Sequence, residues 1–368
     1  MAYGTVNADV IQSSVSGVSL GAGNATSFKN RIINGNMVID QRNAGASVTP
    51  TNGQYTLDRY SWQLSQTSKL TNQQSTTAPT GFGNSFLVTS SSAYSVLTGD
   101  YFAFGQKIEG FNTVDLAWGT ASAQSVTLSF WVRSSLTGTF GGSVINGAFN
   151  RSYPFTYAIS AANTWEQKSI TIAGDTTGTW VGATNGTGMQ IFWGLGVGST
   201  YSGTAGAWTG SGLFSATGAT SVVGTNGATW YITGVQLEVG SSATGFDFRS
   251  YGTELMLCQR YYFKTSSDAP TLLGVGFIDS GTTFICQSSV PVPMRTSATL
   301  ITSGTASNYR LRWAGSQVTT CNAVPTINST VGQFIRLDCS VASGLTTGYG
   351  GFLIPNGTSG YLGYDAEL

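Results

Sequence analysis

The sequence predicts an all-β protein in which two β-domains are joined by a short helix. Short apolar and aromatic runs recur along the chain and are cut by Gly, Ser, Thr and Asn; 49 of the 368 residues are Gly and 12% are aromatic. Charged residues make up only 9%, against roughly a quarter in ordinary soluble domains. Disordered chains lack aromatic and β-branched residues, so this chain can bury a core. Runs of this kind between turn residues are typical of strands and loops.

The charge balance argues against several classes of partner. The chain has 16 Lys and Arg residues and 16 Asp and Glu residues, with no long basic run. Nucleic-acid binding needs clustered basic residues, so no nucleic-acid partner is expected. No apolar run approaches the roughly 20 residues of a membrane span, so no membrane insertion is expected. The start, "MAYGTVNADVIQSSVSG", lacks the basic and apolar regions of a secretory signal.

The absence of histidine narrows the possible chemistry. Nucleophiles activated by histidine are excluded, and acid–base catalysis would fall to carboxylates or Lys. Candidate carboxylates for a glycan-cleaving pair are Glu109, Asp115, Glu166 and Asp175. Most of them lie beside turns or in amphipathic strands, where solvation is the ordinary explanation. We therefore expect no enzymatic activity and no catalytic residues.

The four cysteines, Cys258, Cys286, Cys321 and Cys339, form no CxxC motif. Their spacing fits no metal site, and no histidine could complete a mixed zinc site. We interpret them as buried free thiols of a chain made in a reducing cytoplasm. No cofactor and no metal ligand is predicted.

The N-terminal part changes character near residue 30. Residues 1–29 are rich in Ser, Gly, Ala and Asn and predict an arm that orders only against a partner or a neighbouring subunit. The stretch "NRIINGNMVIDQRN" (30–43) then supplies apolar anchors. In "YTLDRYSWQLS" (55–65), Asp58 and Arg59 form either an ion pair beside the core or an exposed edge, and the ion pair is favoured.

Strict alternation identifies the clearest strand, "SVTLSFWVR" (125–133). A period of two over nine residues places the apolar side chains on one face and Trp131 on the other. Residues 164–172, 189–198 and 228–239 predict further strands, the second of them central and buried. Gly234 divides the last one and indicates a bulge.

The loop 198–220 is too rich in Gly for regular structure. Its aromatic residues Tyr201, Trp208 and Phe214 either pack down to tie the loop or stay exposed for recognition, and packing is favoured. "YGTELMLCQRYY" (251–262) predicts a helix capped by Thr253.

Beyond residue 263 the texture is again β. The strands are predicted at 282–295, 308–313, 332–341 and 350–355, and all four cysteines lie at or after Cys258. In "NYRLRW", Arg310 and Arg312 oppose Tyr309, Leu311 and Trp313, and a solvated strand face is favoured over a ligand site for the two arginines. The change in sequence pattern and the positions of the cysteines indicate a separate C-terminal domain.

Charges concentrate in residues 234–262, which raises the question of a catalytic cluster or a structural joint. The charged residues are Glu238, Asp247, Arg249, Glu254 and Arg260. The stretch closes the first predicted domain, turns, and opens the helix. We interpret it as a joint, with Asp247 and Arg249 close enough to pair.

Several stretches taken together resemble a family of bacteriophage and prophage tail-fibre or virion structural proteins. They are "NRIINGNMVIDQRN", "YTLDRY", "SFWVRSSLTGTF", "ITGVQLEVGSSATGFDFRSYGTELMLCQRYY", "VPMR" and the terminal "YLGYDAEL". The similarity covers nearly all of residues 30–368. Its most specific part is "QLEVGSSATGFDFR" followed by "ELMLCQRYY".

The resemblance implies a jelly-roll β-sandwich similar to carbohydrate-binding modules at 30–249, a linker helix at 250–262 and a compact β-domain at a fibre tip at 263–368. It also implies a homotrimer attached by residues 1–29 to a virion tail or baseplate protein. The chain would be synthesised in the host cytoplasm and reside in the virion tail. Few charges protect sheet edges or keep a lone subunit soluble, which gives association of copies a physical motive.

These observations favour a non-enzymatic receptor-binding protein that recognises a host cell-surface polysaccharide. Sugar rings pack their C–H groups on aromatic faces, and neutral Ser, Thr, Asn and Gln side chains bind their hydroxyls. Weak sites gain strength when several copies engage one surface. The glycan-binding candidates are Trp131, Tyr201 and Trp208, with packing inside the fold as the alternative for each.

Two other functions remain open. The chain could be a purely structural baseplate, collar or decoration protein, or a tailspike enzyme that cleaves glycan. A jelly roll can also hold a structural calcium ion among loop oxygens, but no dense acidic loop marks its ligands.

Overall fold

The computed structural model describes residues 29–265 and 271–368. Nearly all regular structure in these residues is β, arranged as antiparallel sheets, and the prediction of an all-β protein is confirmed. Apart from Lys29, the predicted N-terminal arm at 1–29 lies outside the described residues. No helix in the described part of the chain has the length and apolarity needed to cross a membrane.

Two antiparallel sheets form the first unit. The six-stranded sheet has the spatial order β1 (Tyr55–Leu57), β2 (Tyr60–Leu64), β5 (Tyr101–Glu109), β10 (Thr187–Val197), β7 (Gly138–Asn146) and β8 (Ser152–Ile159). The five-stranded sheet has the order β3 (Leu70–Ser75), β4 (Ser85–Ser90), β13 (Thr229–Val239), β6 (Val126–Ser134) and β9 (Glu166–Ile172). Their inner faces pack against each other as a β-sandwich.

The sandwich core follows from the alternation along each strand. The inward residues of β6 are fully buried, as predicted: Val126, Leu128, Phe130 and Val132. Phe86 of β4 stacks on Phe104 of β5 with ring centroids 4.0 Å apart, and so joins the two sheets. Burial of each such side chain contributes roughly 1.5–3 kcal/mol, and paired rings add to this.

Two strand predictions in the first unit are confirmed in detail. β10 lies inside the six-stranded sheet and is buried over almost its whole length. β13 shifts register between Thr233 and Gln236, and Gly234 there has a φ of 60°, which a glycine adopts without strain. The bulge predicted at Gly234 is therefore present.

Residues 30–43 form no strand but link both units. The backbone N–H of Arg31 donates to the carbonyl of Leu237 at 3.0 Å, so the segment runs beside β13. Ile33 and Ile39 are buried against Cys258 and Tyr261, which belong to the helical region.

The helix α1 spans Tyr251–Gln259. Its N-cap is Ser250, whose side chain accepts a hydrogen bond from the backbone N–H of Thr253. The prediction that Thr253 caps the helix was wrong by three residues, because Ser250 also has a capping hydroxyl and lies where the chain is still extended. Glu254 lies in the first turn, as expected.

The second unit contains one large and one small sheet. The seven-stranded sheet has the order β19 (Gln317–Thr320), β18 (Tyr309–Trp313), β22 (Gly350–Pro355), β15 (Gly274–Ile278), β16 (Thr283–Ser289), β21 (Phe334–Ser340) and β20 (Thr326–Val331). The three-stranded sheet has the order β14 (Tyr262–Lys264), β23 (Leu362–Asp365) and β17 (Thr299–Thr302). Their shared core contains Cys286, Cys321 and Cys339 as buried free thiols.

Candidate functional site

The outer face of the six-stranded sheet is covered by the chain itself. The segment 198–223 crosses this face, and its short strands β11 (Ser202–Gly203) and β12 (Ser215–Ala216) pair in parallel. Phe214 packs on Ala103, Ile145 and Phe192, which point away from the sandwich core. A Cβ on Gly141 would lie 2.4 Å from the Ser215 hydroxyl oxygen, so only glycine admits the covering strand.

The outer face of the five-stranded sheet is covered over one half only. There the segment 240–249 folds back, and the carboxylate of Glu238 accepts hydrogen bonds from the backbone N–H and the hydroxyl of Thr244 at 2.9 and 2.6 Å. The backbone N–H of Asp247 donates to Gln236 at 2.8 Å. These contacts bury Gln236 and Glu238 although both lie on the outer face.

The other half of this face carries an aromatic surface, which we call the outer platform. It consists of Gln73, Leu87, Trp131, Arg133, Trp165, Gln167 and Tyr231. Cross-strand register aligns them, because directly paired residues share a face. Tyr231 pairs with Leu87 on one side and with Arg133 on the other, and Trp131 pairs with Gln167.

The platform side chains contact one another. The Trp165 ring lies 6.0 Å from the Tyr231 ring at an interplanar angle of 67°. The Arg133 guanidinium lies 4.9 Å from the centre of the Tyr231 ring, and its Nε donates to the carbonyl of Asn163 at 2.8 Å. Trp131, Trp165 and Tyr231 are all half-buried, so their rings are held while part of each surface stays open to solvent.

The β13 bulge supports Trp131 from one side. A Cβ on Gly234 would lie 2.7 Å from Cζ of Phe82 and 3.1 Å from Cδ1 of Trp131. Phe82 in turn packs against Phe246 and Phe248, with centroids 5.2 and 5.3 Å away. Because Gly234 has no side chain, Phe82 and Trp131 can both pack close to the β13 backbone at the bulge.

The platform has the chemistry of a neutral, stacking surface. The flat faces of Trp and Tyr rings accept the C–H groups of a sugar ring. Gln73 and Gln167 present amides at two edges, and the Arg133 guanidinium has further N–H donors. The arrangement can bind a polyhydroxylated ligand, and it contains no carboxylate that would protonate one.

The three predicted glycan-binding residues do not lie together. Trp131 belongs to the outer platform. Tyr201 lies on the opposite side of the sandwich, where its ring contacts Tyr101 at 4.9 Å in the covering segment. Trp208 packs against Trp118 and Trp180. The loop 198–220 is thus packed down at both of its predicted recognition residues.

The tryptophan cluster around Trp208 has no indole donor left for a ligand. Trp118 donates to the carbonyl of Gln124 at 2.7 Å, Trp180 to Asp175 at 3.0 Å and Trp208 to the carbonyl of Ala173 at 2.9 Å. A groove of about 200 Å³ runs beside Trp118 and Trp180. Because its indoles are tied inward, the cluster is best explained as packing.

Sequence reasoning missed Tyr231 and Trp165. The alternation in "ATWYITG" places Trp230 in the core and Tyr231 outside, so the signal was present. Trp165 directly precedes β9 and lies across from Arg133 only because β9 pairs with β6. That pairing is a tertiary fact, which the sequence pattern does not contain.

The charged residues of 234–262 bind backbone and partner charges, not a common cavity. Arg249 donates to the carbonyls of Ile32 and Asn30 and lies 3.4 Å from the Glu254 carboxylate and 3.9 Å from that of Asp247. Glu254 also accepts a hydrogen bond from the backbone N–H of Asn34. This set therefore holds the segment after residue 29 against the helix.

Arg260 forms a second connection. It donates two hydrogen bonds to Glu109 of β5, at 2.6 and 3.1 Å. Tyr261 donates to the same carboxylate at 2.6 Å. Burial raises the pKa of Tyr261 to about 12, so its hydroxyl remains a donor.

Two further arginines, Arg59 in the first hairpin turn and Arg42 in the segment before that hairpin, bind the far end of the described chain. Arg59 is 1% exposed, pairs with Glu367 and lies 3.4 Å from the centre of the Tyr261 ring. Arg42 pairs with Asp365 at 3.2 Å and with Glu367 at 3.0 Å. We name the three sets together the junction cluster: Arg42, Arg59, Glu109, Arg249, Glu254, Arg260, Asp365 and Glu367.

The predicted ion pair between Asp58 and Arg59 was wrong. Asp58 instead accepts hydrogen bonds from the backbone and the side chain of Gln41 at 2.7 and 2.5 Å. The two residues form the two-residue hairpin turn between β1 and β2, where their side chains diverge. Burial raises the pKa of Asp58 to about 6.

Each candidate catalytic carboxylate has its own cation. Glu109 pairs with Arg260, Asp115 with Arg31, Glu166 with Lys168 and Asp175 with Arg151. For Asp115, hydrogen bonds from Arg31 lower the pKa. For the other three, burial acts to raise the pKa, but hydrogen bonds from the cations and other donors outweigh it and lower the pKa. Among the described residues, no three Cys, Asp or Glu side chains converge to hold a metal ion.

Comparisons with solved structures return β proteins of low identity. The enzymatically active domain of bacteriophage CBA120 tailspike protein 4 is 14% identical, with a TM-score of 0.32, over 57% of this chain and 21% of that one. A putative sugar binding protein from Bacteroides thetaiotaomicron is 12% identical, with a TM-score of 0.34, over 58% and 100%. A family 11 carbohydrate-binding module of a Clostridium thermocellum cellulase is 10% identical, with a TM-score of 0.27, over 54% and 98%.

No family model and no curated protein matches the sequence. The chain spans about a fifth of the tailspike structure that it matches. Because all three TM-scores are low, the fold described above rests on the strand order of this chain alone.

Proposed function

We propose that the chain is a non-enzymatic, glycan-binding protein of a phage virion, and that its outer platform binds a host-surface polysaccharide. The observation that carries the proposal is the set of half-buried rings of Trp131, Trp165 and Tyr231 on one open sheet face, with amides beside them. Sugar rings stack on such rings, and the amides and Arg133 bind hydroxyl groups.

The state of the four candidate carboxylates supports binding without cleavage. A glycosidase acid needs a raised pKa and a second carboxylate nearby. Each of the four candidates has a lowered pKa and forms an ion pair with a different cation: Glu109, Asp115, Glu166 and Asp175. None of them lies on the outer platform.

The place of the protein in a tail fibre rests on the sequence resemblance. In this proposal the chain is a homotrimer, and residues 1–29 attach it to a virion tail or baseplate protein. Three platforms per fibre would turn weak single sites into useful binding at a cell surface. The resemblance also implies assembly in the host cytoplasm before incorporation into the virion.

A scaffold without glycan binding is the second candidate, because two predicted recognition residues are packed. Tyr201 and Trp208 both lie inside aromatic clusters of the first unit. If the rings of the outer platform serve only to cover the sheet, the first unit would be a spacer in the particle.

A binding experiment separates these candidates. The full chain is applied to an array of bacterial capsular and lipopolysaccharide glycans, and the captured glycan is then titrated as a soluble oligosaccharide. We expect Trp131→Ala and Tyr231→Ala each to weaken binding by about tenfold or more. The matched control is Tyr251→Ala, which removes a ring that is 63% exposed on α1 and should leave affinity unchanged.

If no glycan binds, or if binding survives the loss of both platform rings, the platform is not the site. Release of reducing ends from the captured polysaccharide would overturn the non-enzymatic part. Equal losses with Tyr201→Ala and Trp208→Ala would move the site to the loop.

A further inference from the structure

The seven-stranded sheet has one face with no covering layer among the described residues, which we call the open face. Along β21 and β22 exposed and buried residues alternate, and the buried ones form the core of the second unit. The opposite side carries large apolar residues that are between 40% and 74% exposed. They are Val275, Phe277, Val318, Val331, Phe334 and Phe352.

These residues share one face by register. Val275 pairs with Phe352 on β22 and with Gln287 on β16. Phe352 continues to Arg312 on β18, and Phe334 on β21 pairs with Val331 on β20. A groove of about 400 Å³ crosses β15, β16, β20 and β21. Apolar residues therefore recur across the sheet, with the polar Gln287 and Arg336 between Val275 and the β20 edge.

The chemistry of the open face fits a protein surface better than a sugar. Branched Val side chains offer no flat ring for stacking. Half of the residues that line the groove are Val, Ile or Phe, and Gln287, Ser329 and Arg336 add polar groups to it. Monomeric soluble proteins rarely leave a contiguous apolar face of this kind exposed, and such faces usually mark interaction sites. Phenylalanines with arginines at the border are typical of protein interfaces.

We propose that the open face is where copies of this chain meet, with the β18 side of one copy against the β21 side of the next. Charges on the face support a second copy as the occupant. Arg310 and Arg312 of β18 have no acidic partner among the described residues, and the Nε of Arg310 is buried without an acceptor. Asp338 of β21 lies four strand spacings away, roughly 19 Å, so it cannot reach these arginines within one copy, whereas the Asp338 of a neighbouring copy reaches them in this arrangement.

Asp338 is able to accept another cation. It lies 3.3 Å from Arg336, but both side chains are substantially exposed, at 32% and 44%. Such a surface pair contributes little by itself. A cyclic arrangement would give Asp338 the unpaired arginine of the next copy while it buries the apolar centre of the face.

The two edges of the sheet fit the same arrangement. The edge strands β19 ("QVTT") and β20 ("TINSTV") are mostly exposed and contain no charged residue and no proline. Exposed edges without such residues are open to pairing with another chain. In a cyclic assembly the β19 edge and the β20 edge of adjacent copies lie at the same interface, so each is covered.

This inference deepens the homotrimer of the proposed function by assigning its interface, and it rests on that proposal for the number of copies. The first test measures the oligomeric state of the full chain by sedimentation velocity and light scattering. We expect a trimer for the unchanged chain, and a monomer at the same concentration for Phe277→Lys combined with Phe352→Lys.

A matched control isolates the position from the substitution. Phe111 is 53% exposed on the first unit, close to the 50% of Phe277. Phe111→Lys should leave the trimer intact. Thermal unfolding followed by circular dichroism identifies any variant that is unfolded and not merely dissociated. If the double Lys variant is unfolded, the single charge substitutions described next test the interface, because they leave its apolar side chains in place.

A charge exchange tests the arrangement of copies. Arg312→Asp and Asp338→Arg should each weaken association, because each places like charges at the contact. The chain with both changes restores an opposite pair and should recover association. Weakening without recovery would overturn the β18-to-β21 contact, and a monomeric wild-type chain would overturn the interface itself.

The outcome is separable from that of glycan binding. A soluble oligosaccharide reports the affinity of one platform, whether or not copies associate. Trimers that bind no glycan would leave this inference standing and contradict the proposed function, and monomers that bind glycan would do the reverse. A wild-type chain that remains monomeric but captures another protein would assign the open face to that partner and overturn the inference.

Discussion

The junction cluster and the outer platform use opposite chemistry, although strands of the same sandwich contribute to both. The junction cluster holds charged groups that are largely buried and that share partners, as Glu367 does with Arg42 and Arg59. The platform presents rings and amides around a single guanidinium. In a chain that is only 9% charged, many of the charged residues connect separate segments, and the proposed binding surface consists mainly of neutral groups. Substitutions should therefore separate into those that lower stability and those that lower affinity.

Glu367→Ala should produce the largest effect. It leaves the buried Arg59 without a carboxylate and also removes a partner of Arg42. Loss of one member of a buried pair costs roughly 3–5 kcal/mol, measured as the free energy of unfolding in denaturant. Asp279→Ala removes an exposed acid and serves as the control. Equal midpoints for the two variants would break the contrast between the regions.

The second effect is a pH dependence of the free energy of unfolding that originates at Asp58, the residue before Arg59. The pKa of Asp58 is raised from 3.8 to about 6. Because the folded pKa exceeds the unfolded one, the folded state binds more protons, and stability falls as the pH rises from about 4 to about 6. A shift of this size corresponds to about 3 kcal/mol. The chain has no histidine, so no imidazole titrates in this window.

Asp58→Asn should remove that slope, at the cost of one hydrogen bond from Gln41, while glycan affinity stays constant between pH 5 and pH 7. Unfolding curves at several pH values test the slope, and titration with the oligosaccharide tests the affinity. A slope that persists in Asp58→Asn would assign it to another group.

Arg249→Ala should destabilise by roughly 1.5–3 kcal/mol, because it removes hydrogen bonds to the carbonyls of Ile32 and Asn30 and leaves Glu254 without its cation. Assembly or heat resistance should suffer, and the order of preference among glycans should not change. Arg249→Lys keeps the charge and should recover part of the loss. A stable protein with altered glycan preference would place Arg249 in recognition.

Gly234→Ala should have the smallest effect on stability, about 1–2 kcal/mol from the positive φ. It should nevertheless reduce glycan affinity severalfold, because the new Cβ meets Phe82 and displaces Trp131. Gly227→Ala is the matched control, since it has a φ of 75° but no atom within 4 Å of the new Cβ. Equal affinities in both variants would show that the close packing of Phe82 and Trp131 at Gly234 does not affect glycan binding.

Local patterns predicted the elements well, because alternation directly reports which face of a strand is buried. β6, β10 and the Gly234 bulge followed from residues that are neighbours in sequence. The cap of α1 was misassigned because two hydroxyl residues, Ser250 and Thr253, both suit the position. Local signals of equal strength leave such boundaries open.

The outer platform was predicted only in part. The outward position of Trp131 followed from the alternation along its own strand. Tyr201 and Trp208 could not be placed, because an aromatic residue in a glycine-rich loop gives no periodic signal. Glu367, the partner of Arg59, lies 308 residues away. Trp131 on β6 and Gln167 on β9 come together only because these two strands pair in the sheet. Contacts of that range depend on the whole topology.

The distance between Arg59 and Glu367 also has a consequence for the order of folding. A ribosome that has made the first hairpin must add 308 further residues before the carboxylate that neutralises Arg59 exists. At about 5–20 residues per second, that interval is at least about 15 s. Until then Arg59 lacks its carboxylate partner, so the contact between the first hairpin and the far end of the described chain can form only after the intervening residues have been made.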